Sequence, residues 1–464
     1  MNRLPFFSLL RLGNKGRAEF QEAFIRHTRR ANEVQTLLRV YYLVLFGVCS
    51  SLALPRSLNS SLFPHFRWPL QVFSGMDLNQ MLLGCSIALL FSCVFAALRP
   101  TSQSSRIAVF LALLSLNAAF NSKGAQTHLF LFWLWSSAIL ALIPSQRFRW
   151  IGQSKRRRHH RLVVGWWAAQ AIVLLFYGLS GFWKAFGAFH QIARDEVNLF
   201  APQGLSYHLA SEMIRAGANP VLGNWLMSHE ALQPLLGIGV TALQLACLVG
   251  IFNCGLRRPL GVSLLAFHFF TYLFLSISYP TNVFLVGVLF LSESHSRTSW
   301  FKSRRVPTKR FGLGSVYGTF LVSYLALALG TAVFSREREV FPLFNGSWFT
   351  EVPSRITDYG LFVTALDGQV LDPPKYVESL DGRFPAWRFA IYGAIQAWGS
   401  SFEREGPEKI KHREFALKLI FRSRPYKAEL RRRTLDPLEF VKNDQVISER
   451  TLTREATGEH ENAL

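Results

Sequence analysis

The chain has 464 residues, 50% of them hydrophobic, 14% aromatic and only 17% charged, a profile that fits a membrane protein and excludes an ordinary soluble domain. Its formal charge of +22 falls entirely on residues 1–334, because residues 335–464 carry 20 Lys+Arg against 20 Asp+Glu. The basic residues of the first part sit in short loops between apolar runs, which argues for a lipid bilayer and against nucleic acid as the partner.

Residues 1–34 form a basic, polar arm in which "RAEFQEAFIRHTRRANEV" reads as a helix on the cytoplasmic surface. Apolar character begins near Leu37, too late for a cleaved signal peptide, so the first helix is expected to remain as an anchor. A bilayer core about 30 Å thick takes roughly 20 helical residues. Runs of suitable length lie near 36–54, 78–98, 106–121, 128–144, 163–184, 233–253 and 259–278. Pro280 in "ISYPTN" breaks the last of these and starts a short eighth span near 281–293; a ninth covers 314–334. The sequence therefore predicts an all-α polytopic membrane protein of about nine transmembrane helices within 35–334, with a small α+β extramembrane C-terminal region at 335–464.

Four loops fix the orientation. The N-terminal arm, "SQRFRWIGQSKRRRHHR" after the fourth span, Arg257 and Arg258 after the sixth, and "SRTSWFKSRRVPTKR" after the eighth all fall on one side. The positive-inside rule makes that side cytoplasmic. Nine spans then leave the C-terminal region extracytoplasmic, and a bacterial inner membrane is the expected location. The near-neutral segment 185–232 lies outside and has room for one or two short helices. In the tail, "DYGLFVTALDGQVL" reads as two strands turning at Asp367-Gly368. Two helices ("PAWRFAIYGAIQAW" and "PEKIKHREFALKLIF") and a strand-like "YKAELRRR" follow, with a loose end expected after 444. The five cysteines all lie in or beside apolar runs, so neither a disulfide framework nor a CxxC metal site is readable, and no metal is expected.

Ionisable groups at depth in a membrane are costly and point to function. Three stand out: His128 opening the fourth span, Lys184 closing the fifth in "YGLSGFWKAF", and His268 midway along the seventh. The topology puts His128 and Lys184 at the outer ends of their helices, with His268 deeper. Each also has a plain reading. Lys184 can snorkel to the interface, His128 can cap it, and His268 can be a buried histidine bonded to a backbone carbonyl or a hydroxyl. Asn117, Gln126, Gln170 and Gln244 are expected to bond between helices. In the functional reading, Tyr177, Phe182, Trp183 and Phe186 surround the Lys184 amine. Desolvation disfavours its charged form, which makes a neutral amine available as a base. The same rings can pack against a flat hydrophobic cofactor. No P-loop, dinucleotide fingerprint, HExxH or GxSxG motif and no inverted repeat competes.

These stretches resemble the membrane proteins related to vitamin K-dependent γ-glutamyl carboxylase, the horizontally transferred transmembrane (HTTM) domain family. The likeness begins at "LLRVYYLVLFG", continues through "THLFLFWLWSSAILALIPS" and is best at "QAIVLLFYGLSGFWKAF". There Tyr177, Ser180, Gly181 and Lys184 match the family pattern, and "LLAFHFFTYLFLSISYPTNVFLVGVLFL" fits its histidine-bearing helix; together the matches cover roughly 36–294. "FPLFNGSWF" fits the post-membrane segment weakly.

The resemblance implies a carboxylase in which reduced vitamin K, or a related quinol, is deprotonated within the membrane and reacts with O₂. The oxygenated quinone removes a γ-proton from a protein glutamate, which then adds CO₂, and vitamin K leaves as its epoxide. Lys184 matches the amine base and His128 a catalytic neighbour; His268, Tyr177, Trp183 and Phe186 would line the cofactor pocket. A secreted peptide or protein is the implied substrate. Two departures stand against it: 130 tail residues are far fewer than the lumenal portion of animal carboxylases, and the tail has no cysteine to match theirs. The alternatives are a non-catalytic membrane protein that binds a lipid or peptide in export, immunity or scaffolding, and a transporter.

Overall fold

The computed structural model describes residues 31–54, 77–121, 130–143, 155–216, 220–275, 277, 279–291, 318–327, 352, 355–365, 370–371, 395–396, 398–399, 426–443 and 445–457. The helices are α1 (Ala31–Val48, continued by a π-helical turn Cys49–Ala53), α2 (Leu78–Leu98), α3 (Gln103–Asn121), α4 (Leu131–Ala141) and α5 (Lys155–Ile192). They continue with α6 (Gly204–Ala216), α7 (Gly223–Ser228), α8 (Gln233–Phe252), α9 (Cys254–Leu275), α10 (Pro280–Val286, continued by a π-helical turn Gly287–Leu291) and α11 (Gly318–Leu327). A last short helix, α12 (Pro437–Asn443), lies among four strands: β1 (Ile356–Ala365), β2 (Val370–Leu371), β3 (Tyr426–Leu435) and β4 (Ser448–Thr457).

Among the described residues, six helices are long and apolar enough to cross a membrane: Val34–Ala53, Leu78–Leu98, Gln103–Asn121, Val164–Ile192, Glu230–Phe252 and Gly255–Leu275. This is an integral membrane protein. The expected fourth, eighth and ninth spans appear as shorter apolar helices, Leu131–Ala141, Pro280–Leu291 and Gly318–Leu327. Pro280 opens α10 at its first position, where its missing N–H would be unpaired in any case.

The chain divides into two compact units, one of Met1–Ala185, Gly239–Phe269 and Ser278–Trp348, the other of Phe186–Ile238, Phe270–Ile277 and Phe349–Leu464. In the first, α4 is buried along nearly its whole length. Its polar groups are met within the bundle. Tyr41 Oη lies 2.8 Å from Ser136 Oγ and 2.9 Å from Ser137 Oγ, and Trp133 Nε1 donates to the Thr281 carbonyl at 2.9 Å. These bonds tie α1, α4 and α10 together where no water can substitute for a lost partner.

Two arginines close helix ends. Arg106, fully buried on α3, donates to the carbonyls of Leu140 (2.8 Å), Pro100 (2.6 Å) and Ile143. Arg257, near the start of α9, donates to the carbonyls of Gly250 (3.1 Å), Ile251 (2.8 Å) and Trp167 (3.0 Å), and to Gln170 Oε1 (3.1 Å). The carbonyls of Leu140 and Ile143 at the end of α4, and of Gly250 and Ile251 at the end of α8, are ones that a helix C-terminus leaves without an intrahelical donor, at the end where the dipole favours a cation; Trp167 O lies within α5. Arg257 thus also has a structural task beyond its expected part in the positive-inside signal.

In the second unit the sheet order is β2-β1-β3-β4, all antiparallel. β1 and β2 pair in the register Val363↔Leu371 and Thr364↔Val370, as the hairpin reading requires; Asp367 and Gly368 lie outside the described residues. The strand expected at "YKAELRRR" is β3. The loose end expected after 444 is corrected, because Ser448–Thr457 forms β4 against β3. Its Thr-rich alternation suits an edge strand despite the polar composition. On one face Arg431 sits 4.2 Å from the Phe362 ring centroid and within 2.7 Å of Glu429. The two expected tail helices fall largely outside the described residues, as does most of the N-terminal arm.

Candidate functional site

The site is organised by α5. This helix spans 38 residues, so it runs past both ends of the expected 163–184 span. The "KRRRHHR" segment is helical and not a loop. Lys184 does not close the helix, as expected, but sits two turns before its end. α5 stops where Asp195 takes a left-handed φ of 56°. There Glu196 N–H reaches Gln191 O (2.9 Å) and Asp195 N–H reaches Ile192 O (3.1 Å), a Schellman closure with aspartate in the usual glycine place.

At 100° per residue, Tyr177, Gly181, Lys184, Ala188 and Gln191 share one stripe of α5. The burial agrees: Tyr177 is 4% exposed and Lys184 8%, with Ala188 and Gln191 also buried. Phe182, Phe186 and Phe189 form the opposite stripe and are exposed, Phe186 at 54%. The expected ring of four aromatics around the amine is therefore corrected. Phe182 and Phe186 lie about 160° around the helix from Lys184 and face outward. Trp183 is half-buried beside it, and Tyr177 alone of the four shares its stripe.

Tyr177 carries the link to α9. Its Oη lies 2.5 Å from His268 Nε2, and the ring centroids are 5.7 Å apart. His268 is 5% exposed, flanked by Phe267 and Tyr279 at centroid distances of 5.2 and 5.9 Å. A histidine bonded to a hydroxyl was one of the two plain arrangements expected for it. Its Nδ1 has no hydrogen-bond partner among the described residues. Lys184 lies seven residues beyond Tyr177, roughly 10 Å further along the axis at 1.5 Å per residue.

Gly181 lets α8 approach the same stripe. A Cβ there would stand 2.7 Å from both Gln244 Cβ and Leu245 N, closer than side chains tolerate. This backbone contact brings Gln244 of α8 against α5 between Tyr177 and Lys184. Gln244 is 3% exposed, and its Oε1 has no partner among the described residues. Of the other expected interhelical amides, Gln170 does bridge helices, donating to Leu289 O at 2.6 Å and accepting from Arg257. Asn117 instead donates to Leu113 O of its own helix at 2.9 Å. Gln126 lies outside the described residues, as does His128, so the expected meeting of His128 with Lys184 has no described geometry.

The structure thus brings together Tyr177 and His268 and places Lys184 and Gln244 along the same buried face. Arg106 and Arg257 were missed as buried charges. Arg257 was read only as part of the positive-inside signal, and Arg106 only as the first residue of the expected third span, so neither was singled out as a buried charge. In the second unit, the buried Gln191 at the end of α5 grips the chain near the sheet. Its Nε2 donates to Val352 O and its Oε1 accepts from Val352 N, each at 3.0 Å.

Comparison with protein-family models, with curated proteins and with solved structures finds no match.

Proposed function

We propose that this chain is a nine-span membrane protein with a cytoplasmic N-terminus and an extracytoplasmic C-terminal region. In this reading it uses Lys184 as a base toward a reduced, lipid-soluble quinone in carboxylating glutamate of a secreted peptide or protein. The observation that carries the reading is a lysine only 8% exposed within a membrane-spanning helix, on the stripe that Tyr177 shares with it and through which Tyr177 meets His268. Burying an ionisable group within a membrane-spanning helix is costly, by up to about 2.5–3.5 kcal/mol at the helix centre and less toward its ends, and a lysine that is buried here and does not reach the surface favours a functional over an incidental role. The likeness to the HTTM and vitamin K-dependent carboxylase family supplies the reaction.

The residues present fit a quinol. Such a ligand is flat and apolar with two hydroxyl groups. His268 Nδ1 and Gln244 Oε1 are buried polar atoms with no partner among the described residues, and each can bond a ligand hydroxyl. Tyr177 orients the His268 ring through Nε2, leaving Nδ1 for the ligand. Lys184 Nζ, as a neutral amine, accepts a hydroxyl proton, and the surrounding apolar helices exclude water that would compete for it. When bound, a reduced quinone supplies the reducing equivalents for activating O₂. His128 joins this set through the resemblance alone.

The test uses the purified full chain in lipid nanodiscs with reduced vitamin K. Wild type is expected to bind the quinone and form its epoxide. Lys184→Ala is expected to retain binding and lose about 100-fold or more in epoxide formation, the scale of a general base. Equal epoxide formation by both proteins rejects the lysine's role. Absence of quinone binding by wild type rejects the carboxylase-like reading and leaves the non-catalytic lipid- or peptide-binding alternative.

A further inference from the structure

We propose that Pro220–His229 is an interfacial anchor that lies in the headgroup layer of the leaflet in which α9 ends. The inference rests on the membrane reading of α9 and is independent of any quinone chemistry.

Four rings form a near-parallel ladder in the second unit. Phe270 and Phe274, on the last two turns of α9, are 6.1 Å apart at 21°. Phe274 stacks on Trp225 of α7 at 6.0 Å and 26°, and Trp225 stacks on His229 at 4.5 Å and 26°. The order Phe, Phe, Trp, His grades from apolar to polar, as the environment does across a bilayer surface. At the apolar end the ladder belongs to a membrane-spanning helix, Gly255–Leu275. At the polar end His229 Nδ1 is bonded to Trp225 O (2.8 Å) and Ser228 Oγ (3.0 Å).

The segment is held rigidly at this level. Leu222 N–H donates to Leu273 O at 3.0 Å, which fixes it beside the last turn of α9. Gln233, fully buried, donates to Leu226 O (3.0 Å) and accepts from Ser206 N (2.9 Å), so the inner side of α7 is bonded into the unit. Gly223 and Leu226 turn inward and are buried, whereas Val221 (76% exposed) and Trp225 (43%) turn outward. The outward-facing Trp225 leads through Phe274 to Phe270 of α9, which is itself 51% exposed. Apolar surface continuous with a membrane-spanning helix and tipped with tryptophan matches the lipid interface.

The test measures depth in the full chain reconstituted in lipid vesicles. Cys85 and Cys254 are replaced by alanine, while buried Cys49, Cys93 and Cys247 stay. A fluorophore is attached through Val221→Cys or His229→Cys, both exposed positions; because His229 bonds Trp225 O and Ser228 Oγ, the 229 variant is used with a circular-dichroism spectrum and unfolding midpoint matching wild type. The label at 221 is expected to be quenched several-fold more by brominated lipid tails than by aqueous iodide, and the label at 229 more by iodide. Equal iodide quenching at the two positions overturns the anchor. So does a label at 221 that neither quencher reaches, which would assign the patch to a protein neighbour such as a second copy of the chain.

Discussion

Tyr177 Oη and His268 Nε2 stand 2.5 Å apart and join the two membrane-spanning helices that carry the candidate site. The hydroxyl is the one partner that the described residues offer to this buried imidazole. Tyr177→Phe is therefore expected to destabilise the protein by about 1–3 kcal/mol, the cost of leaving a buried polar group unmet. Replacing both groups, in Tyr177→Phe with His268→Leu, is expected to cost less than the sum of the single changes. Unfolding of the single and double variants in detergent measures this coupling, and strict additivity would refute it.

Gly181 permits the backbone contact between α5 and α8. A methyl group there meets Leu245 N and Gln244 Cβ at 2.7 Å, and neither is the free end of a flexible side chain. Gly181→Ala is expected to lower stability by about 1–3 kcal/mol through overpacking. The intrinsic helix preference for alanine acts in the opposite direction, by up to about 1 kcal/mol. A variant as stable as wild type would mean that α8 shifts away at no cost.

Arg257 satisfies three backbone carbonyls and the Gln170 amide with one planar fork. Arg257→Lys keeps the charge and the positive-inside signal but cannot reproduce the fork. It is expected to lose about 1–3 kcal/mol, the scale of unmet buried carbonyls, with unchanged topology. Unfolding midpoints together with a thiol-accessibility map of the loops separate the two effects. A loss of orientation without a loss of stability would return Arg257 to a pure topology role.

Tyr207 on α6 bonds Asp436 Oδ2 at 3.3 Å, and Asp436 also caps α12 through Leu438 N and Glu439 N. Burial, then the Asp436 carboxylate, hold the Tyr207 hydroxyl above its ordinary 10.0. The unfolded tyrosine ionises first as pH rises. The stabilising contribution is thus complete below pH 10.0 and declines as pH climbs toward the folded value. The stability gap between wild type and Tyr207→Phe is expected to narrow above pH 10.0 in alkaline unfolding titrations. A gap constant with pH would show that the contact does not depend on the neutral hydroxyl.

Most helices of the membrane unit were readable because a bilayer demands long apolar runs, and such runs are written directly in the chain. α2 matches its expected span of 78–98, and α10 begins at Pro280, where the proline chemistry placed it. The fourth span was less legible. Only Leu131–Ala141 is a described helix there, a stretch too short to cross a bilayer unaided. The 185–232 segment was expected to hold one or two short helices, and it does contain α6 and α7. The ring ladder of α7 with α9 joins Trp225 to Phe274, far apart in the chain, which local pattern cannot pair.

The sequence by itself determined that this is a membrane protein, where its main helices lie, and that Lys184 and His268 enter them. Hydropathy and proline act locally, so they can be read along one chain. Only the tertiary structure decided which faces those helices turn toward one another. Packing against α8 and α9 set Tyr177, Gly181 and Lys184 inward and sent Phe182 and Phe186 outward, because a helix in lipid has no polar side to reveal its orientation in advance. The same packing carried Arg106 to the distant end of α4 and Arg257 to the Trp167 carbonyl and Gln170 of α5, since a buried guanidinium must find acceptors wherever the fold supplies them.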